Sequence, residues 1–230
     1  MMTPAQLTGQ STEHLIEALV GQKSFLMHPN VRDDLLALQA AAHNAGFLCH
    51  IASGFRPFER QLAIWNRKMS GATPLLDEFS RPLDSQKLSD EEKVWAILRW
   101  SALPGASRHH WGTDFDLFDR LAIPEGTLLQ LEPEEYLQGH QHRFYVWLKD
   151  HAEQFGFFFP FQGERHAGKK RGIAFEPWHV SHRVTANTCS MQFSLPILTA
   201  QIEQAPILGK EVILQHLQTI YTDYITHISQ

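Results

Sequence analysis

The chain has 230 residues, of which 43% are hydrophobic and 20% charged, and its formal net charge is −5. This composition is typical of a globular protein that can bury a core, and the mild acidity without any basic run disfavours nucleic acid as the main partner. No stretch approaches the roughly 20 consecutive apolar residues of a membrane span.

The N-terminal sequence MMTPAQLTGQSTEHLIEALV lacks the basic segment and the long apolar segment of a secretory signal. If residue 1 is the native start, we expect a cytoplasmic protein; if the native N-terminus is missing, we expect a periplasmic one. The two cysteines, Cys49 and Cys189, exclude a disulfide framework and a thiolate zinc knuckle. Two separate buried thiols are the expected state, and a single bridge is the alternative.

The first half of the chain carries signals for two helices and an intervening strand. Pro29 and Asn30 precede a helical pattern that Gly46 ends, and residues 47–53 then predict a strand. Pro57 is suited to the first position of a second helix. The apolar faces of these two helices are predicted to carry Val31, Leu35, Leu38 and Ala42 in the first, and Phe58, Leu62 and Trp65 in the second.

The middle of the chain begins with an irregular stretch. Residues 70–88 contain a glycine and two prolines and predict a long loop or insertion, a feature that is often functional. Ser89 and Glu92 have the spacing of a capping box at the start of a short helix. A further helix is predicted over 144–155 and ends at Gly156.

The last third of the chain is predicted to contain a hairpin loop at 163–172, a strand over 173–184 and an amphipathic helix from residue 208. The helix would bury Ile213, Leu217, Ile220 and Tyr224. Helices and strands do not alternate regularly, so the sequence predicts an α+β fold. We expect a small antiparallel sheet flanked by helices, with a helical N-terminal segment and a C-terminal amphipathic helix.

One chemical cluster lies in the stretch SRHHWGTDFDLFD, residues 107–119. Its second half alternates like a strand, which would place Phe115 and Leu117 on one face and Asp114 and Asp116 on the other. Aspartate is depleted in strands, so this pair calls for a reason. Either it lies on an exposed edge strand, or it binds a metal ion together with a histidine from the preceding turn.

A second cluster, FEPWHVSH, places Glu176 and His179 three residues apart. On an ideal strand their side chains would face opposite sides, so both can serve one site only if the backbone bends at Pro177. The alternative is a loop glutamate and a half-buried histidine. Together the two clusters offer the three protein ligands of a catalytic zinc site and a spare carboxylate as general base, although these ligands suit other divalent metals too.

Three segments resemble one known family. PGASRHHWGTDFD (104–116) is similar to the S-x-H-x-x-G-x-x-x-D signature of the zinc D-alanyl-D-alanine carboxypeptidases and dipeptidases of the VanY type. EPWH (176–179) resembles their E-x-W-H signature, and SGFRPFERQ (53–61) their S-G-[FY]-R-x-x-x-x-Q segment. The resemblance implies a single zinc peptidase domain over residues 1–230, with a motif-covered core at about 47–190 and a helical tail at 191–230.

The resemblance also implies roles for individual residues. It assigns zinc binding to His109, Asp116 and His179, the general base to Glu176, a place beside the scissile carbonyl to Arg56, and the substrate's terminal carboxylate to Ser107 and Gln61. The preference for His109 over His110 comes from the resemblance alone. Each of the last three residues has a structural alternative. Arg56 would cap a turn or pair with a surface carboxylate, Ser107 would be a turn hydroxyl, and Gln61 would be a surface residue on its helix.

The sequence departs from the family pattern at two places. Asp114 stands where the family often has a small apolar residue, so it either orients a ligand imidazole or competes for the metal. The segment between Gln61 and Ser107 is long, which leaves the shape of the substrate pocket open.

The resemblance implies a peptide hydrolase acting on peptides that end in D-Ala-D-Ala or on muropeptides. Carboxypeptidase activity is the first expectation; a D-Ala-D-Ala dipeptidase, a stem-peptide endopeptidase and a non-catalytic zinc-binding protein are the alternatives. A cytoplasmic address would favour soluble precursors or recycled muropeptides over the assembled wall.

Overall fold

A computed structural model describes residues 1–163 and 172–228. Within them the strands are β1 (Ile16–Val20), β2 (Lys23–Met27), β3 (Cys49–Ser53), β4 (Leu75–Leu76), β5 (Pro82–Leu83), β6 (Asp114–Asp119), β7 (Phe157–Phe158) and β8 (His179–His182). The α-helices are α1 (Pro4–Leu7), α2 (Arg32–Asn44), α3 (Phe58–Met69), α4 (Asp90–Trp100), α5 (Pro133–Leu137), α6 (His142–His151), α7 (Arg183–Gln192), α8 (Leu195–Gln204), α9 (Lys210–Gln215) and α10 (Leu217–Ile220). The predicted hairpin loop between Gly163 and Gly172 lies outside the described residues.

The central feature is an antiparallel sheet with the strand order β3-β6-β8-β7, which confirms the predicted α+β class. Asp116 of β6 lies directly opposite His179 of β8, and Phe115 lies opposite Val180. Because side chains alternate along a strand, Phe115 and Val180 point into the hydrophobic core while Asp116 and His179 share the other face. The predicted separation of apolar and acidic side chains along β6 is therefore confirmed.

The apolar face of the sheet is covered by α2, α6 and the hairpin β1–β2, which together form one hydrophobic cluster. The residues predicted for the apolar face of α2 are buried in it: Val31, Leu35, Leu38 and Ala42. The hairpin was not predicted; it turns at Gly21, whose φ of 63° favours glycine. Burial of Met27 and Val20 against α2 explains why this short segment is extended rather than helical.

A second hydrophobic cluster is built from α3, α4 and the helices of the C-terminal tail. Trp65 of α3 is fully buried there, and its indole donates a hydrogen bond to the Leu208 carbonyl at 3.0 Å. The predicted amphipathic tail is confirmed in its packing but is divided into α9, α10 and a π-helical turn over Tyr221–Thr226. All four of its predicted apolar residues are buried: Ile213, Leu217, Ile220 and Tyr224.

Several local predictions are confirmed. The capping box is present, with Glu92 Oε2 accepting from the Ser89 backbone N–H at 2.8 Å. The helix predicted over 144–155 comprises α6 and a 3₁₀ turn, and it ends at Gly156 in the left-handed conformation. The 70–88 segment is largely irregular and contains only the short hairpin β4–β5 and one 3₁₀ turn. Cys49 and Cys189 are separate buried thiols in different hydrophobic clusters.

Two predictions need correction. The strand expected over 173–184 is limited to β8, because Pro177 has no N–H to donate and the chain turns there, while α7 begins directly after His182. Pro57 is the residue before α3 rather than its first residue, with an extended backbone at φ −69° and ψ 158°. In the part of the chain that the structure describes, no helix has the length and apolar character to cross a membrane.

Candidate metal centre

The turn before β6 is shaped to deliver a histidine to the polar face of the sheet. A 3₁₀ helix over Arg108–Trp111 carries His109 and ends at Gly112, whose φ is 68°. A Cβ added at Gly112 would lie 2.9 Å from the backbone nitrogen of His28, so only glycine fits between the turn and the neighbouring segment. This tight turn brings His109 back over the strand that it precedes.

Three side chains meet on the polar face of the sheet. His109 Nε2 lies 3.5 Å from Asp116 Oδ2, and His179 Nδ1 lies 3.2 Å from Asp116 Oδ1. One potential ligand atom from each residue lies within 4.8 Å of the others, and the residues are only 5%, 4% and 3% exposed. The structure thus brings together the same three residues to which the resemblance assigns zinc binding.

Glu176 reaches the same place because the backbone bends at Pro177, as the sequence requires. The His179 N–H donates to the Glu176 carbonyl at 3.1 Å, which closes the turn, and the Glu176 N–H donates to the Phe161 carbonyl at 3.1 Å. Glu176 Oε2 then lies 3.3 Å from His179 Nδ1. The Glu176 carboxylate thus lies beside the three-residue cluster and lines the cavity.

Asp114 contacts both imidazoles from the side away from the cluster. Its Oδ1 lies 3.0 Å from His179 Nε2, and its backbone carbonyl lies 3.2 Å from His109 Nδ1. Both oxygens act as acceptors, so each contacted nitrogen carries a proton. The other two nitrogens, His109 Nε2 and His179 Nδ1, face Asp116 and are the ones that would bind a metal, which would take the place of any proton that His179 Nδ1 shares with the carboxylates of Asp116 and Glu176. These contacts favour the orienting role among the two that the sequence allows for Asp114.

Arg108 holds Asp114 in this position, a role that sequence reasoning missed. Its Nε donates to Asp114 Oδ1 at 2.8 Å and its Nη2 to Ser181 Oγ at 2.6 Å, and both contacts are buried. The only signal in the sequence is an arginine next to His109, which has no characteristic spacing. Thr113 also donates to the Asp114 carboxylate.

The protonation of the cluster follows from burial and from its charges. Burial alone would raise the pKa of Asp114 and Asp116, but Arg108 beside Asp114 and His109 beside Asp116 hold both values well below the usual range. Burial lowers the pKa of His109. Burial also acts to lower the pKa of His179, but hydrogen bonds to Asp114, Asp116 and Glu176 outweigh it and raise that pKa well above its usual value.

The residues present fit a divalent cation. Asp116 Oδ1 is buried, and its close polar contact with His179 Nδ1 at 3.2 Å does not have the geometry of a good hydrogen bond, so a cation beside it would stabilise the carboxylate. Two imidazoles and one carboxylate are the ligand set of many catalytic zinc sites. The excess of carboxylates around the two histidines also favours a positive charge at their centre.

His110, unlike His109, uses both ring nitrogens in contacts with the protein backbone. Its Nδ1 lies 2.6 Å from the Arg56 carbonyl, and its Nε2 accepts from the Gly105 N–H at 3.1 Å. Burial lowers the pKa of His110 to about 3, so the ring stays neutral. A Cβ at Gly9 would overlap the His110 ring, which shows how closely this histidine is packed. Its Nδ1 thus contacts the backbone of Arg56, and its Nε2 contacts the backbone of Gly105.

Arg56 lies at the cavity beside the cluster, with Nη2 4.0 Å from Asp116 Oδ2. Its Nη1 donates to Gln61 Oε1 and its Nη2 to Ser53 Oγ, both at 2.9 Å. Burial lowers the pKa of Arg56, and the Asp116 carboxylate opposes that effect. The guanidinium is thus held in a fixed orientation by two neutral acceptors.

Gln61 is not a surface residue. It is fully buried, and its Nε2 donates to the Ala102 carbonyl at 2.7 Å while its oxygen accepts from Arg56. These contacts position Arg56, and the expected contact of Gln61 with a substrate carboxylate stays a prediction. Ser107, in contrast, lines the cavity at the start of the 3₁₀ helix.

The cluster opens into a cavity of about 480 Å³. Aliphatic and aromatic side chains form its apolar wall, including Leu98, Leu103, Phe161 and Trp178. The 70–88 segment contributes Leu76 and Ser80, and the C-terminal tail contributes Tyr224 and Ile225. The long segment that the sequence left without a role thus forms part of the cavity wall.

The fold and the cluster together define an α+β protein with a candidate mononuclear metal site next to a cavity. Residues 24–185 match the family VanY, described as D-alanyl-D-alanine carboxypeptidase. The chain belongs to this family. Two similar proteins of Haemophilus influenzae, both described as uncharacterized, are 40% identical over 124 residues (54% of this chain and 92% of the relative) and 44% identical over 104 residues (44% and 70%).

Solved structures of peptidases share the fold. VanYB in complex with D-alanine-D-alanine is 17% identical, with a TM-score of 0.51 over 83% of this chain and 90% of the other. A mutant of the vancomycin resistance D,D-pentapeptidase VanY in complex with Zn(II) is 18% identical, with a TM-score of 0.51 over 88% and 92%. The LdcB LD-carboxypeptidase is 18% identical, with a TM-score of 0.50 over 88% and 78%. At these identities the likeness shows the fold.

Proposed function

We propose that this protein is a zinc-dependent D-alanyl-D-alanine carboxypeptidase that releases the terminal D-Ala of peptidoglycan-type peptides. The observation that carries the proposal is the arrangement around Asp114, which leaves His109 Nε2 and His179 Nδ1 facing Asp116 while Glu176 lies at the cavity edge. A buried cluster with fixed tautomers and an adjacent carboxylate has the composition that hydrolytic metal sites require.

His109, Asp116 and His179 would hold the metal. When bound, zinc supplies a Lewis acid that polarises the peptide carbonyl and lowers the pKa of a water molecule. Glu176 is the group that accepts the proton of the attacking water on its carboxylate, since it borders both the cluster and the cavity. It then delivers that proton to the departing amine nitrogen.

Arg56 stabilises the negative charge that develops on the carbonyl oxygen. Its guanidinium stays charged, and it is held in place by Ser53 and Gln61 before the substrate arrives. A donor that is already oriented stabilises the transition state without reorganisation. The buried and unpartnered Arg56 Nε gives this side chain a further free donor.

The choice of substrate is supported by the family. The family is described as D-alanyl-D-alanine carboxypeptidase, and VanYB of the same fold binds D-alanine-D-alanine. This description favours a carboxypeptidase over a stem-peptide endopeptidase.

The test is metal content followed by hydrolysis. We expect one zinc per chain in purified protein, and release of D-alanine from an N-acylated peptide ending in D-Ala-D-Ala that stops with chelator and returns with zinc. A peptide ending in L-Ala-L-Ala serves as the control substrate. Free D-Ala-D-Ala as the preferred substrate would indicate a dipeptidase instead, and zinc-loaded protein that hydrolyses neither would overturn the proposal.

A further inference from the structure

The cavity contains a cation that the proposed chemistry does not use. Among the described residues, three lysine or arginine side chains line the cavity: Arg56, Lys68 and Arg108. Arg108 forms a buried ion pair with Asp114 at 2.8 Å, and Arg56 lies opposite Asp116. Lys68, by contrast, has no carboxylate within 4.0 Å in the described part of the chain.

The Lys68 ammonium is held inside the cavity wall by a neutral group. Lys68 lies in the last turn of α3, and its Nζ donates to Ser101 Oγ at 2.6 Å. Both residues line the cavity, between apolar neighbours that include Ile64 and Leu98. An ammonium among apolar side chains is poorly solvated, and a hydroxyl oxygen compensates for only part of the lost hydration.

Lys68 and the catalytic groups share one electrostatic environment. Burial lowers the pKa of Lys68, the Glu176 carboxylate opposes that effect, and the positive charge of Arg56 adds to it. All three side chains line the same cavity, so an anion bound there would be attracted by Lys68 and Arg56 together. A peptide substrate brings such an anion as a carboxylate.

We propose that Lys68 is a substrate-binding residue whose ammonium forms an ion pair with a carboxylate of the peptide substrate. This inference rests on the proposed function and extends it to substrate recognition. The resemblance assigns the substrate's carboxylate in part to Gln61, but both ends of the Gln61 amide are hydrogen-bonded to Arg56 and Ala102. Lys68 offers another group that can bind this carboxylate. Ser101 holds the ammonium in place before the substrate binds.

Two carboxylates of a peptidoglycan-type peptide have the required chemistry. One is the terminal carboxylate of the amino acid that is released, and the other is a side-chain carboxylate in the part that is retained. The experiment uses three peptides that differ only in these groups: one with the terminal carboxylate alone, its C-terminal amide, and an amide with a diaminopimelate carboxylate in the retained part.

Binding is measured by calorimetry in zinc-loaded protein that carries Glu176→Gln, so that little substrate is hydrolysed during the titration. Lys68→Met removes the charge and keeps the stem, and Lys68→Arg keeps the charge. Arg67→Met is the matched control, because Arg67 is an exposed cation in the same last turn of α3. We expect Lys68→Met to weaken binding about 10- to 100-fold, Lys68→Arg to restore most of it, and Arg67→Met to change it less than about twofold.

The pattern across the peptides identifies the carboxylate. A loss with the free-acid peptide that is absent with its amide assigns Lys68 to the terminal carboxylate, and a loss confined to the diaminopimelate peptide assigns it to the retained part. The inference is overturned if Lys68→Met leaves the affinity for every peptide equal to that of the protein that keeps Lys68. It is also overturned if no peptide binds. D-Alanine release by the zinc-loaded wild-type protein tests the proposed function separately, so the two failures are distinguishable.

Discussion

The carboxylate of Asp114 lies 3.0 Å from Nε2 of His179, on the opposite side of the ring from Asp116. The contact fixes both the rotation of the imidazole and the nitrogen that carries its proton, because an ionised carboxylate only accepts hydrogen bonds. His179 therefore presents Nδ1 to Asp116 and to any metal between them. Asp114 is itself fixed by Arg108, so the orientation of the histidine depends on a chain of buried charges.

Replacing Asp114 is expected to weaken metal binding without removing a ligand. Asp114→Asn keeps the size of the side chain but loses the charge that favours the required tautomer, so we expect zinc affinity to fall roughly 10- to 100-fold. Competition with a chromogenic chelator measures this. Asp119→Asn is the matched control, because Asp119 is also buried on β6 but bonds to the backbone N–H groups of Leu48 and Leu121. Equal zinc affinity in the two variants would contradict the orienting role.

The two adjacent histidines are expected to respond differently to substitution. His109→Ala should abolish stoichiometric zinc binding, because it removes one of three ligands. His110→Ala should keep zinc bound but lower the free energy of unfolding by about 2 kcal/mol, since it leaves the Arg56 carbonyl and the Gly105 N–H without their buried partner. Metal analysis after gel filtration and urea unfolding provide the two measurements. The reverse pattern would show that the ligand assignment is wrong.

Glu176 is expected to be needed for hydrolysis and not for metal binding. Glu176→Gln keeps the shape of the side chain and removes its ability to accept a proton, so we expect kcat to fall by roughly 10²- to 10⁴-fold with zinc content unchanged. D-Alanine release and metal analysis on the same preparation check this. Glu132→Gln, at a carboxylate that also lines the cavity, should stay within a few-fold of wild type. Full activity in Glu176→Gln would exclude this residue as the base.

The contribution of Arg56 to catalysis is expected to depend on the separate N–H donors of its guanidinium. Arg56→Lys keeps the charge but replaces the planar guanidinium, which contacts Gln61 and Ser53 through separate nitrogens, with a single nitrogen on a flexible stem. We therefore expect kcat/KM to fall about 100-fold with normal zinc content. Gln61→Leu should reduce kcat/KM by about 10-fold through loss of this positioning alone. If Gln61→Leu altered only KM, and only for substrates with a free terminal carboxylate, direct contact of Gln61 with substrate would be indicated instead.

The two thiols are expected to be inert in the folded protein. Burial raises the pKa of both Cys49 and Cys189 to about 12, so at pH 8 only about one thiol in ten thousand is ionised. Ellman's reagent should detect no fast-reacting thiol in native protein and two in urea. A fast-reacting thiol in the native state would indicate that one cysteine is accessible.

Much of the fold could be predicted from local patterns. The apolar residues of α2 and of the tail recur at helical spacing, and the alternation in β6 separates its aspartates from its core residues, because a segment with one buried face must repeat with its own period. The hairpin β1–β2 was missed, since its extended form depends on burial against α2. Both ends of β8 were misplaced, since its start depends on the turn at Pro177 and its end on where α7 begins.

The candidate site divides in the same way. The sequence by itself determined which residues are available: two histidines, two aspartates and a glutamate in segments whose order resembles one family. Only the tertiary structure decided how they are used, with Asp114 behind the histidines, Gln61 behind Arg56, and Lys68 facing the cavity. The reason is physical: donor type is a property of a residue, whereas the partner of a buried polar group is set by elements that are distant in the chain.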